Sequence, residues 1–74
     1  MTRVADQYKV TLPRGYELVR RHCTCGTFLV RLRHAVCNQT IGTWVHPHAD
    51  GKLCVEQRRD LQVNVELHQA RDAS

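Results

Sequence analysis

Four side chains that bind metal ions well are grouped in two short segments of the chain. Cys23 and Cys25 stand directly before Gly26, and His46 and Cys54 flank a loop further along. Thiolate and imidazole groups are the ligands that zinc prefers, and structural zinc sites take four of them in tetrahedral geometry. This grouping predicts one structural zinc ion with the ligands Cys23, Cys25, His46 and Cys54.

The remaining cysteine, Cys37, leaves the ligand set open. A site made only of cysteines would use Cys37 in place of His46, because thiolates compete strongly for zinc. We favour His46, since it and Cys54 flank residues 47–52, which would form the second half of the site. Cys37 is then a free thiol. Without any metal, all the cysteines would be small apolar core residues.

The cysteines also bear on the compartment in which the protein works. No apolar segment approaches the roughly 20 residues that cross a bilayer, and the N-terminus has no apolar signal-peptide core. We therefore expect a cytoplasmic protein, or part of a virion assembled in the cytoplasm, without contact to membranes. Thiols stay reduced there, which favours a metal site over two disulfides.

Alternation of apolar and polar residues, the period of a half-buried strand, recurs along the chain. It predicts strands at 8–12, 16–22, 27–36, 40–46 and 61–68. The last is the most regular, with one apolar face formed by Leu61, Val63, Val65 and Leu67. We predict a small all-β fold, an antiparallel sheet of about five strands with little or no helix.

The length of 74 residues allows one domain. We predict a flexible leader over residues 1–7, a zinc-stapled β domain over 8–68 and a polar tail over 69–74. A chain this short buries only about 60% of the surface that its unfolded form exposes. We therefore expect the metal ion to supply stability that the small core lacks.

No motif in the chain indicates catalysis. A catalytic zinc keeps an open position, and zinc deaminases combine H-x-E with P-C-x-x-C. Neither pattern occurs here, nor does a phosphate-binding loop or a dinucleotide-binding fingerprint. We expect a protein that is not an enzyme and has no small-molecule substrate.

The order C-x-C-G at 23–26, W-x-H at 44–46 and G-x-x-C at 51–54 resembles small zinc-ribbon-like proteins of actinobacteria and their phages. The resemblance covers residues 23 to 54, less than half of the chain. It implies a zinc-ribbon-like fold and the ligands Cys23, Cys25, His46 and Cys54. The extra Cys37 and the long hydrophobic strand between the two halves depart from the pattern.

Two functions fit this scaffold. The one we favour is docking on a larger protein assembly, such as a virion, a polymerase or a ribosome, or self-association, through a sheet edge such as the strand at 61–68. The alternative is nucleic-acid binding through phosphates, although the formal net charge is only +4. The arginines that would make those contacts are Arg14, Arg20, Arg21, Arg31, Arg33, Arg58 and Arg59.

Overall fold

A computed structural model describes residues 3–73 and contains three strands and two helices. Helix α1 spans Val4–Gln7 and helix α2 spans Val55–Ala73, with all three strands between them. The strands are β1 (Tyr16–His22), β2 (Phe28–His34) and β3 (Gln39–Val45). They form one antiparallel sheet in the order β1-β2-β3, so each strand pairs with its neighbour in sequence.

One face of the sheet forms one side of the hydrophobic core. Leu18 of β1 stands opposite Leu32 of β2, and both side chains are buried, as is Val30. Leu61 and Val65 of α2 are buried in the same hydrophobic cluster. The other buried members come from the N-terminal segment and from the residue before the α2 N-cap: Ala5, Tyr8, Val10 and Leu53. Apolar burial between this sheet face, α2 and the N-terminal segment therefore holds the fold together.

The sheet is antiparallel as predicted, but it has three strands rather than five. The strands expected at 16–22, 27–36 and 40–46 are present within the usual uncertainty of element ends. Residues 8–12 do not join the sheet, because the Val10 N–H donates to the Ala5 carbonyl at 2.9 Å and closes the turn after α1. Tyr8 and Val10 are nevertheless buried. The alternation of apolar and polar residues at 8–12 therefore reflects burial of every second side chain and not pairing with another strand.

The prediction of a strand at 61–68, and of little or no helix, was wrong. These residues lie within α2, a helix of 19 residues. Leu61 and Val65 are one helical turn apart and each is 2% exposed, whereas Val63 is 44% and Leu67 63% exposed. The alternating apolar residues therefore point in two directions, and only one residue in four along this segment faces the core.

Helical residues lie near both ends of the described range. Residues 4–7 form the turn of α1, with Ala5 buried, and residues 69–73 continue α2. Met1 and Thr2 of the leader and Ser74 of the tail lie outside the described residues. Over the described range, neither helix has both the length and the apolar character needed to cross a bilayer.

Candidate metal centre

The turn between β1 and β2 brings the sulfurs of Cys23 and Cys25 together. The Gly26 N–H donates to the Cys23 carbonyl at 3.0 Å, and the Cys23 N–H donates to the Thr27 carbonyl at 2.8 Å. Gly26 has φ of 93°, a left-handed conformation in which glycine avoids the strain of a Cβ. The Sγ atoms of Cys23 and Cys25 lie 3.0 Å apart, so this turn presents two thiols to one point.

His46, the residue directly after β3, brings a third metal-binding side chain to the same point. Its Nε2 lies 3.1 Å from the Cys25 sulfur, and its Nδ1 lies 2.7 Å from the Pro47 carbonyl oxygen. A carbonyl oxygen only accepts hydrogen bonds, so Nδ1 carries the proton and donates it. In the neutral ring, the Nε2 lone pair is then directed toward the sulfurs, the arrangement that metal-binding histidines usually show.

The ligand atoms of Cys23, Cys25 and His46 all lie within 4.8 Å of one another, and we call these residues the first site. Cys23 is half-buried, while Cys25 and His46 are exposed. Two sulfurs and one imidazole nitrogen at this separation can hold a metal ion. The donor set suits zinc, which also binds in sites that combine cysteine and histidine.

Hydrogen bonds also favour the thiolate form of Cys25. The hydrogen bond with the Cys23 side chain, followed by one with the Thr27 backbone, lowers the pKa of the Cys25 thiol below its usual value. A bond donated to a thiolate stabilises the charged form. The thiolate is the form that binds metals, so the turn favours the protonation state that the site requires.

Cys54 lies beside the first site but is not part of the group of three. Its sulfur accepts the Gln57 N–H at 3.4 Å, and the Gln57 Oε1 accepts the Cys54 N–H at 3.1 Å. These reciprocal bonds form a capping box at the start of α2. The Gln57 Nε2 also donates to the His46 carbonyl at 2.9 Å and ties the cap to the first site. Cys54 as a fourth ligand stays a prediction.

The loop between His46 and Cys54 is closed by two backbone hydrogen bonds. The Gly51 N–H donates to the His48 carbonyl at 2.8 Å, and the His48 N–H donates to the Lys52 carbonyl at 3.1 Å. Leu53, the next residue, is buried in the core. The loop therefore returns the chain to the neighbourhood of His46 and sets the position of Cys54.

The remaining cysteine occupies the opposite end of the sheet. Cys37 lies in the turn after β2, while Cys23 and Cys25 precede the start of β2. A strand of this length spans about 20 Å, so the fold does not assemble an all-cysteine site. Cys37 instead groups with His34 and His68, their ligand atoms within 4.8 Å of one another. Neither histidine is among the ligands predicted from the sequence, although the H-x-x-C spacing at 34–37 indicates half of this group.

The seven candidate arginines are distributed over several surfaces. Arg21, Arg31 and Arg33 lie on the sheet face opposite the core, according to strand pairing. Arg20 lies on the same face of β1 as the core residue Leu18, and its guanidinium carbon is 4.6 Å from the centre of the Phe28 ring. The others lie before β1 or on α2, at Arg14, Arg58 and Arg59.

Comparisons of the chain with protein-family models, with curated proteins and with solved structures found no significant match. The zinc-ribbon resemblance therefore remains a prediction from the sequence. The fold and the Cys and His groups, rather than relatives, are the basis for any functional conclusion.

Proposed function

We propose that this chain is a non-enzymatic module that is stabilised by one structural zinc ion and binds single-stranded nucleic acid. In this proposal Cys54 completes the zinc site of Cys23, Cys25 and His46, and the protein works in the cytoplasm or in a virion assembled there. The observation that most strongly supports nucleic-acid binding is a tryptophan flanked by two arginines on the sheet face opposite the core.

We call this surface the open face and define it by Arg21, Arg31, Arg33 and Trp44. The guanidinium carbons of Arg21 and Arg31 lie 5.8 and 5.9 Å from the centre of the Trp44 ring, within the range of cation–π contacts. Trp44 and Arg31 are half-buried and Arg21 is exposed. The aromatic ring and the two cations therefore form one continuous surface.

The charges of this surface match a phosphate backbone. Arg33 is paired with Glu17 at 2.8 Å. Arg21 and Arg31 make no ion pair with any described residue, so their charges are not neutralised locally. Guanidinium groups bind phosphate oxygens in a bidentate manner, and a neighbouring aromatic ring stacks on an unpaired base. These contacts together favour a single strand over a duplex, whose bases are already stacked.

Over the described residues, the fold lacks the sheet edge on which the prediction of protein docking was based. The strand that was to add to a partner sheet is part of α2, and Val65 is buried in the core. A helix does not offer the unpaired backbone groups that strand addition requires. The open face does not depend on that strand.

We expect the double variant Arg21→Gln and Arg31→Gln to weaken binding of a single-stranded oligonucleotide and to flatten its salt dependence. Removing two phosphate contacts reduces the slope of log K against log salt by about 1.4, at ~0.7 for each contact. Trp44→Leu should cost about 1–3 kcal/mol of binding energy through lost stacking. Because Trp44 is the only tryptophan, quenching of its fluorescence by the oligonucleotide reports binding at this face.

Arg59→Gln on α2 is the matched control, since it removes an exposed positive charge away from the open face. It should leave the affinity and the tryptophan quenching nearly unchanged. The single variant Arg31→Gln removes the same charge from the open face, and equal losses in it and in Arg59→Gln would mean that net charge alone attracts the oligonucleotide. The proposal for the open face would then be abandoned.

A second candidate is protein contact through α2, favoured by the exposed side chains of Val63 and Leu67. These residues are one helical turn apart and form an apolar pair on the outside of the helix. We propose that the pair docks on another protein, in the simplest case a second copy of this chain. The mass in sedimentation equilibrium should then rise with concentration, and Leu67→Glu should keep the chain monomeric. A monomer at every concentration would eliminate self-association.

A further inference from the structure

At the end of the sheet remote from the first site, His34, Cys37 and His68 form a second cluster. His34 is the last residue of β2, Cys37 lies in the turn that follows, and His68 belongs to α2. One ring nitrogen of each histidine and the Cys37 sulfur lie within 4.8 Å of one another. Residues from three different elements therefore converge on one point.

The turn after β2 places the first two of these side chains. The Asn38 N–H donates to the His34 carbonyl at 2.8 Å, and Asn38 has φ of 62°, a left-handed conformation that asparagine tolerates. This closed turn brings the Cys37 sulfur to 2.9 Å from the His34 Nδ1. The backbone of this turn therefore places the two side chains next to each other.

The third side chain comes from a distant part of the sequence. The rings of His34 and His68 lie 4.6 Å apart, at 53° to each other. Tyr16 packs against both rings, and its hydroxyl forms a 2.6 Å hydrogen bond with the His68 Nδ1. In metal sites, the ring nitrogen that does not bind the metal donates such a hydrogen bond and so orients the imidazole, which here requires the His68 Nδ1 to donate to the Tyr16 oxygen. Tyr16 is thus a positioning residue for His68.

We infer that His34, Cys37 and His68 form a second metal site, which binds zinc or a similar late first-row transition-metal ion. Two imidazoles and a thiolate suit such ions and do not suit magnesium or calcium, which prefer oxygen ligands. The three side chains leave a fourth position for water or an external ligand. His68 also lines a cleft between β3 and α2, and Cys37 is exposed, so that position faces solvent.

A metal ion at this position would join the turn after β2 to α2. The first site ties together the turn before β2 and the residue after β3, so the two ions would secure opposite ends of the same sheet. The second ion is independent of the open face and of the zinc in the first site. It would stabilise the contact between α2 and the sheet.

The test is native mass spectrometry of the full chain loaded with Zn²⁺ alone, with a separate titration of the metal-free chain with Co²⁺ to detect thiolate-to-cobalt charge transfer. We expect two metal ions per wild-type chain and one in Cys37→Ser, whose side chain is exposed and whose change should not disturb folding. His68→Gln should also lose one ion. Its matched control, His48→Gln, changes a histidine outside both groups and should keep both ions.

Tyr16→Phe tests the positioning role of Tyr16 through metal affinity, a quantity that a purely structural role in packing would not change. It keeps the ring and removes the hydroxyl, so metal affinity at the second cluster should fall about 10- to 100-fold while the first site is unaffected. A single ion that is lost in Cys25→Ser and kept in Cys37→Ser would overturn the inference. The cluster would then be a packed group of aromatic rings with one hydrogen-bonded thiol. A single ion lost only in Cys37→Ser would support this site and refute the first.

Discussion

Cys25→Ser is expected to lose the ion of the first site and to abolish cooperative thermal unfolding. The chain has 74 residues, and domains are stable by only ~0.05–0.15 kcal/mol per residue, or about 4–11 kcal/mol here. Structural zinc supplies roughly 10–16 kcal/mol of apparent binding energy in small zinc-dependent domains. Losing a contribution of this size leaves little folded protein. Circular dichroism during heating, together with the metal content of the purified variant, measures both effects.

Two controls separate metal loss from simple damage to the fold. A strong chelator added to the wild-type chain should reproduce the loss of cooperative unfolding, and added Zn²⁺ should restore it. Cys37→Ser, at the other end of β2, should keep the ion of the first site and a cooperative transition. If Cys25→Ser melts like the wild type and carries the same metal content, the first site does not bind a structural ion.

The second large effect distinguishes helix from strand at the C-terminus. Val65→Asp is expected to unfold the protein, because a charge at a position that is 2% exposed must be desolvated without a partner. The same change at Val63, which is 44% exposed, should alter stability by no more than about 0.5 kcal/mol. Urea denaturation monitored by circular dichroism at the helix band compares the two variants directly.

The comparison is internally controlled, since both positions lie in α2 and the substitution changes helix propensity equally. In a strand, Val63 and Val65 would share one face, and both aspartates would be equally harmful. Equal midpoints for the two variants would therefore contradict the helix. A wide separation, with Val65→Asp unfolded in water, would establish which side of α2 faces the core.

Much of the first site could be predicted because its information is local. Cys23, Cys25 and Gly26 lie in a single turn, and the positive φ of Gly26 is a property that the residue type itself favours. The strands on both sides carry a period-two pattern whose buried and exposed residues pair correctly across β1 and β2. The strand predicted over 40–46 also places His46 at the end of β3, which the structure has at Val45.

The C-terminal segment shows where local pattern fails. Leu61, Val63, Val65 and Leu67 satisfy the strand period, but Leu61 and Val65 also satisfy the helical spacing of one turn. The sequence pattern does not distinguish a strand from a helix here, because both spacings place apolar residues on one side of the segment. Tertiary packing decides between helix and strand, because one apolar face of the sheet has to be covered. As a helix, the segment packs Leu61 and Val65 in the same core as Leu32 and Val30.

Residue types and spacing were thus enough to predict a small antiparallel sheet and the grouping of Cys23 and Cys25 in one turn. Packing of the whole chain decided the rest. It set the number of strands, made the C-terminal segment a helix and brought His68 to His34 across 34 positions of sequence. Contacts between distant segments depend on which faces bury apolar surface against each other, and a local pattern does not contain that information.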